Sequence, residues 1–151
     1  SVLFKLFREK NGLTYDVGVF NPFRKQNSPF LIYLSVSNKN AILAFKILIE
    51  LWQNLFTTLI TSHEINLAKI KLKSSFLISN QTLDEILQRK IQLIGYDLDP
   101  DYDIDCLKKV EDINSEDILK ITKKYLSKPF LSIYGNKKIC SEINKLWIEN
   151  F

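Results

Sequence analysis

Leu6-Phe7-Arg8-Glu9-Lys10-Asn11-Gly12-Leu13-Thr14-Tyr15-Asp16-Val17 is the stretch on which the reading of this chain turns. Val2, Leu3, Leu6 and Phe7 recur at helical spacing, and Ser1 stands where a capping hydroxyl would. Gly12 follows where a helix end calls for a left-handed residue. From Tyr15 to Phe20 the pattern changes to alternation, with Tyr15, Val17 and Val19 on one side and Asp16 and Gly18 between them. That is the signature of a half-buried strand. A helix, a glycine stop and a strand thus bring Arg8 and Tyr15, seven positions apart, around one turn.

Downstream, Asn21-Pro22 and Arg24 to Ser28 form a connection, and Phe30 to Ser37 reads as a second, antiparallel strand. Asn38 stands as the cap of a helix from Lys39 to Phe56, with Ile42, Phe45, Ile49 and Trp52 on its apolar side. Thr61-Ser62-His63-Glu64 opens a helix to about Ile78. Thr82 and Glu85 have capping-box spacing ahead of a helix to Gly95. Asp97 to Asp105, with Pro100, reads as an acidic loop, and Asp105 to Glu111 as a helical turn. Ser115 caps a helix to Leu126, Pro129 precedes a strand from Phe130 to Tyr134, and Lys138 to Phe151 closes with a helix. The fold class expected is α+β, an antiparallel sheet with helices mainly on one face in a two-layer sandwich. We read residues 1–151 as a single domain. The chain lacks any Met, so it reads as an N-terminally truncated fragment, with further strands expected before Ser1 and an exposed sheet edge open to homo-oligomer formation.

The 151 residues, 46% of them apolar, suit an ordinary globular domain. A net charge of +4 from 21 basic and 17 acidic residues is too small for a nucleic-acid footprint, and the Lys residues read as scattered among acidic neighbours. No apolar run reaches the length of a membrane span, since Lys46 and Glu50 interrupt the longest candidate. Cys106 and Cys140 form no C-x-x-C pair and read as ordinary thiols.

A self-sufficient active site is not in view. His63 is the one histidine, and although His63-Glu64 begins like H-E-x-x-H, Leu67 stands where the second imidazole should be. His63 reads as an exposed residue of a helix's first turn. The carboxylates Asp97, Asp99, Asp101, Asp103 and Asp105 fail the EF-hand pattern, which would place Tyr102 at the glycine position and Lys108 at the glutamate position. Taken as residues alone, Arg8 answers a helix dipole and Tyr15 is a strand aromatic. Taken with Gly12-Leu13 between them, they form a pair presented on one side.

The stretch from Leu6 to Val17 resembles the signature of the C-terminal half-domain in the pitrilysin, or inverzincin, family of zinc metallopeptidases, which includes the processing peptidase subunits. In that family a helix ends in Leu-Arg-Glu-(Glu/Lys)-x-Gly-Leu-x-Tyr and a strand follows. Ser1 to Phe4 is similar to the Ser-x-Leu-Phe that opens this helix. Glu64 to Leu77, with Ala68-Lys69 in register, is similar to the family's E-L-x-x-A-K-x-x-L helix. The resemblance implies a peptidase half without metal of its own, closing on a zinc-bearing domain or subunit around a peptide substrate. Zinc and the H-x-x-E-H motif are then expected in that complementary part and no cofactor on this chain. It further implies that Arg8 holds a substrate backbone carbonyl and that Tyr15 stabilises the scissile carbonyl as it becomes tetrahedral. Family members that have lost the zinc motif serve as structural or partner subunits, and this is the alternative role.

Overall fold

The computed structural model describes residues 2–151 and divides the chain into two compact units, residues 1–57 with 125–151, and residues 58–124. Ser1, expected as a helix cap, lies outside the described residues.

In the first unit a helical turn, α1 (Val2–Phe4), runs directly into a π-helix over Lys5–Lys10. The helical spacing is therefore real, but the turns are wider than those of an α-helix, a local feature frequent at functional sites. Strands β1 (Asp16–Phe20) and β2 (Leu31–Ser35) pair antiparallel, with Asp16 opposite Ser35 and Phe20 opposite Leu31. The loop between them is tied by the Ser28 hydroxyl, which meets Asn21 Oδ1 and the Pro22 carbonyl. Val17, Ile32 and Leu34 pack on a core of Leu3, Phe7, Leu13 and Ala44. Phe7 is wholly enclosed at 0% exposure. The expected one-sided burial of β1 is thus met at Val17, whereas Val19 and Tyr15 are exposed.

Helix α2 (Ala41–Thr57) supplies Ala44 to this core and Ala41, Phe45 and Ile49 to a second one shared with Ile143 of α7 (Lys137–Asn150). Asn38 does not cap α2: Asn38–Asn40 form a 3₁₀ turn that leads into it, and Ser37 holds the extended position before that turn. Trp52 packs towards Phe30, ring centroids 6.5 Å apart. The strand expected at Phe130–Tyr134 is not formed. Leu131 packs on the α2–α7 core, yet none of the backbone groups from Phe130 to Tyr134 finds a partner among the described residues. Alternation supplies one buried side chain, but a strand also requires a ladder. The architecture is α+β, built on a two-stranded antiparallel sheet.

The second unit is helical: α3 (Ser62–Ile78), α4 (Leu83–Gly95), α5 (Tyr102–Val110) and α6 (Ser115–Tyr125). The capping boxes at Thr61/Glu64 and Thr82/Glu85 form as the spacing predicts. Two boundaries move. The acidic stretch is a loop only as far as Asp101, because Asp103 and Asp105 take first-turn places in α5, where carboxylates offset the helix dipole. At α6, Asn114 rather than Ser115 is the cap: Asn114 Oδ1 accepts from the N–H groups of Glu116 and Asp117 at 2.9 and 3.1 Å. The Ser115 hydroxyl donates instead to the Ile60 carbonyl at 2.6 Å. Arg89 and Asp103 join α4 to α5 through two parallel bonds of 2.6 and 2.7 Å.

No single helix among the described residues is long and apolar enough to cross a membrane.

Candidate functional site

The turn at Gly12 sets the geometry. Its φ of +57° is left-handed, which a glycine adopts without strain. Two bonds close the end of the π-helix: Leu13 N–H donates to the Phe7 carbonyl at 2.7 Å, and Gly12 N–H to the Arg8 carbonyl at 3.1 Å. Asn11 Nδ2 adds a bond to the Leu6 carbonyl at 2.7 Å. On the inner side of this turn Phe7 and Leu13 are buried. Arg8 and Tyr15, one and two residues further along, are left on the outside.

Thr14 fixes the last step. It is buried, and its hydroxyl reaches the Ser35 carbonyl at the end of β2 while accepting a bond from Asp16 N–H at 3.0 Å. The residue before Tyr15 is thereby pinned to the sheet. Tyr15 itself is 87% exposed. Sequence reasoning passed over Thr14; the signal available was a β-branched hydroxyl residue directly ahead of a strand.

The result is an aromatic clamp on a cation. The Arg8 guanidinium carbon lies over the Phe4 ring at 4.8 Å and over the Tyr15 ring at 5.3 Å from their centroids. Both are within cation–π range, each contact contributing about 0.5–1 kcal/mol at an exposed site. The stacking holds a long side chain in place without consuming its donors. Among the described residues nothing accepts a hydrogen bond from the Arg8 N–H groups, and the Tyr15 hydroxyl is equally unengaged. An always-charged fork of N–H donors and a phenolic O–H donor therefore stand side by side at the surface. Phe4 was named only as part of the opening Ser-x-Leu-Phe and not as a partner of Arg8, although its place four residues before Arg8 on a helix is the spacing at which such contacts occur.

The hairpin also has an outer face, formed by Phe20 of β1 and Leu31 and Tyr33 of β2. Phe20, Leu31 and Tyr33 are exposed there. The Tyr33 ring lies across Gly18, where a Cβ would stand 2.6 Å from Tyr33 Oη. Glycine at this place lets the tyrosine lie flat on β1.

The residues present do not fit a zinc ion. His63 is exposed in the first turn of α3, as its sequence context implied. No group of three His, Cys, Asp or Glu among the described residues could hold a metal.

Comparison with known proteins agrees with the signature. Residues 1–72 match the family described as Peptidase M16 inactive domain. A crystal structure of a peptidase M16 inactive domain from Pseudomonas fluorescens has the same fold, with a TM-score of 0.69 at 22% identity over 80% of this chain and 28% of that one. The chain spans little more than a quarter of the length of that structure. No curated protein matches it. Residues 1–72 are thus similar in sequence to a peptidase M16 inactive domain, and the chain shares the fold of the solved one.

Proposed function

We propose that this chain is the substrate-binding and transition-state-stabilising part of an M16-type zinc endopeptidase whose H-x-x-E-H site lies in another domain or subunit. The two compact units are, on this reading, parts of one half-domain. The observation that carries the proposal is the pairing of Arg8 with an exposed Tyr15 at 5.3 Å, each with its polar end uncommitted.

Arg8, held between two rings, donates to a backbone carbonyl of the bound peptide and so fixes its register. Tyr15 donates its phenolic proton as a hydrogen bond to the scissile carbonyl oxygen. That bond strengthens as the oxygen takes on negative charge, so it favours the tetrahedral species over the planar amide. Neither residue activates water; that step belongs to the complementary part. The test is peptide hydrolysis by the full-length protein with its zinc-bearing counterpart. Arg8→Ala should raise KM several-fold, and unchanged KM and kcat would remove Arg8 from the site.

A second reading is a non-catalytic partner subunit of the same fold. It is supported by the matched family's description as an inactive domain. A full-length protein that binds a peptide but does not cleave it, alone or with its counterpart, supports this reading over the first.

A further inference from the structure

The chain is anchored on both sides of Tyr15. Upstream, Leu13 is buried and its N–H donates to the Phe7 carbonyl at 2.7 Å. Downstream, the pairing of β1 with β2 begins at Asp16, opposite Ser35. Thr14 and Tyr15 lie between these two anchors, and the backbone of that short link sets the direction in which the Tyr15 side chain leaves it.

Thr14 is buried at 6% exposure, and a single oxygen on it makes bonds in two directions. The hydroxyl hydrogen goes to the Ser35 carbonyl, with the Asp16 carbonyl 3.1 Å from the same oxygen. A lone pair of that oxygen accepts from Asp16 N–H at 3.0 Å. The bond from Asp16 closes a turn with Tyr15 as its middle residue, a geometry that a serine or threonine hydroxyl imposes on the residue after it. The bond to Ser35 ties that turn to the neighbouring strand. Valine would copy the branched shape and make neither bond; serine would make both.

We propose that Thr14 is the positioning residue of the Arg8–Tyr15 pair. Acting through the backbone, its hydroxyl sets where the Tyr15 ring stands against the Arg8 guanidinium, 5.3 Å away. Resting on the function proposed above, it also sets where the phenol meets the substrate carbonyl, and misplacement by about 1 Å is enough to cost such a group most of its effect.

The first measurement does not depend on activity. In full-length protein labelled with 15N-arginine, the Arg8 Nε–H resonance, identified by its loss in Arg8→Lys, is displaced by the ring currents of Phe4 and Tyr15. Thr14→Val should move it towards the position of unstacked arginines, and Thr14→Ser should hold it in place. Thr14→Ala removes the same hydroxyl and is read beside Thr14→Val, with circular dichroism checking that each variant folds. An Arg8 resonance unmoved in both hydroxyl-free variants would overturn the proposal. The second measurement is peptide hydrolysis with the zinc-bearing counterpart. Thr14→Val should lower kcat about tenfold with little change in KM, Thr14→Ser should recover most of it, and Thr14→Val added to Tyr15→Phe should lower kcat no further. An equal fall in both backgrounds would make Thr14 merely structural and overturn its link to Tyr15. A Tyr15→Phe variant that turns over like wild type would remove the functional reading instead, and the Arg8 resonance then decides whether Thr14 places the ring.

Discussion

The Arg8 guanidinium lies 5.3 Å from the centre of the Tyr15 ring, although seven residues separate the two in the chain. The relationship depends on three neighbours: Phe4 on the far side of the cation, Gly12 at the turn and Thr14 pinned to β2. Each can be altered on its own, and the second compact unit offers further independent tests.

Gly12→Ala places a Cβ in the left-handed region. No neighbouring atom would be struck, so the cost is backbone strain alone, about 1–2 kcal/mol of stability. Gly12→Asn should cost less, since Asn tolerates this conformation better. Urea unfolding of the two variants checks the order.

Phe7 is the enclosed residue on which the π-helix sits against the hairpin. Phe7→Ala should destabilise by about 3–5 kcal/mol, as expected for a large aromatic removed from a packed core. On the proposed function, the same change should also lower peptide hydrolysis by loosening the clamp. Calorimetry gives the first outcome and a peptidase assay the second.

The fork between Arg89 and Asp103 can be probed by Arg89→Lys. An ammonium cannot make the two parallel bonds of 2.6 and 2.7 Å, and the pair is only partly shielded from water. A loss of about 1–2 kcal/mol is expected from the charge-assisted bonds forgone. Chemical denaturation that leaves the variant equal to wild type would show the fork to be idle.

Backbone and hydroxyl bonds from Thr82 hold the Glu85 carboxyl below its ordinary range, and the Thr61 hydroxyl and N–H do the same for Glu64. A depressed folded pKa stabilises the fold above the unfolded value, about 4.3 for Glu. That contribution is lost as the pH falls from there through the folded value. Glu85→Gln keeps a capping side chain but cannot titrate, so its urea midpoint should fall less between pH 7 and pH 2.5 than that of wild type.

The placement of Arg8 beside Tyr15 was legible because local rules govern it. A glycine stop after a helical spacing fixes a turn, and a turn of that kind fixes which side chains share a side. The capping boxes at Thr61 and Thr82 follow from the same local chemistry. What the sequence left open depended on partners far along the chain. Phe130–Tyr134 has the alternation of a strand, but alternation cannot reveal whether a neighbouring strand is supplied. Asn114 and Ser115 compete to cap one helix, and the outcome is decided by the Ile60 carbonyl, which lies far back in the sequence. Asp103 and Asp105 look like loop residues until the dipole of α5 gives them a place. The π-helix, too, left no mark in the spacing of Leu3, Leu6 and Phe7.

Tyr15→Phe in the full-length protein, assayed for the proposed peptidase activity, is the sharpest test, because it keeps the ring on which Arg8 stacks and deletes only the hydroxyl. A fall in kcat of about 100-fold with little change in KM is the expected result, the loss typical of one hydrogen-bond donor to a developing oxyanion. Turnover equal to wild type would contradict the account.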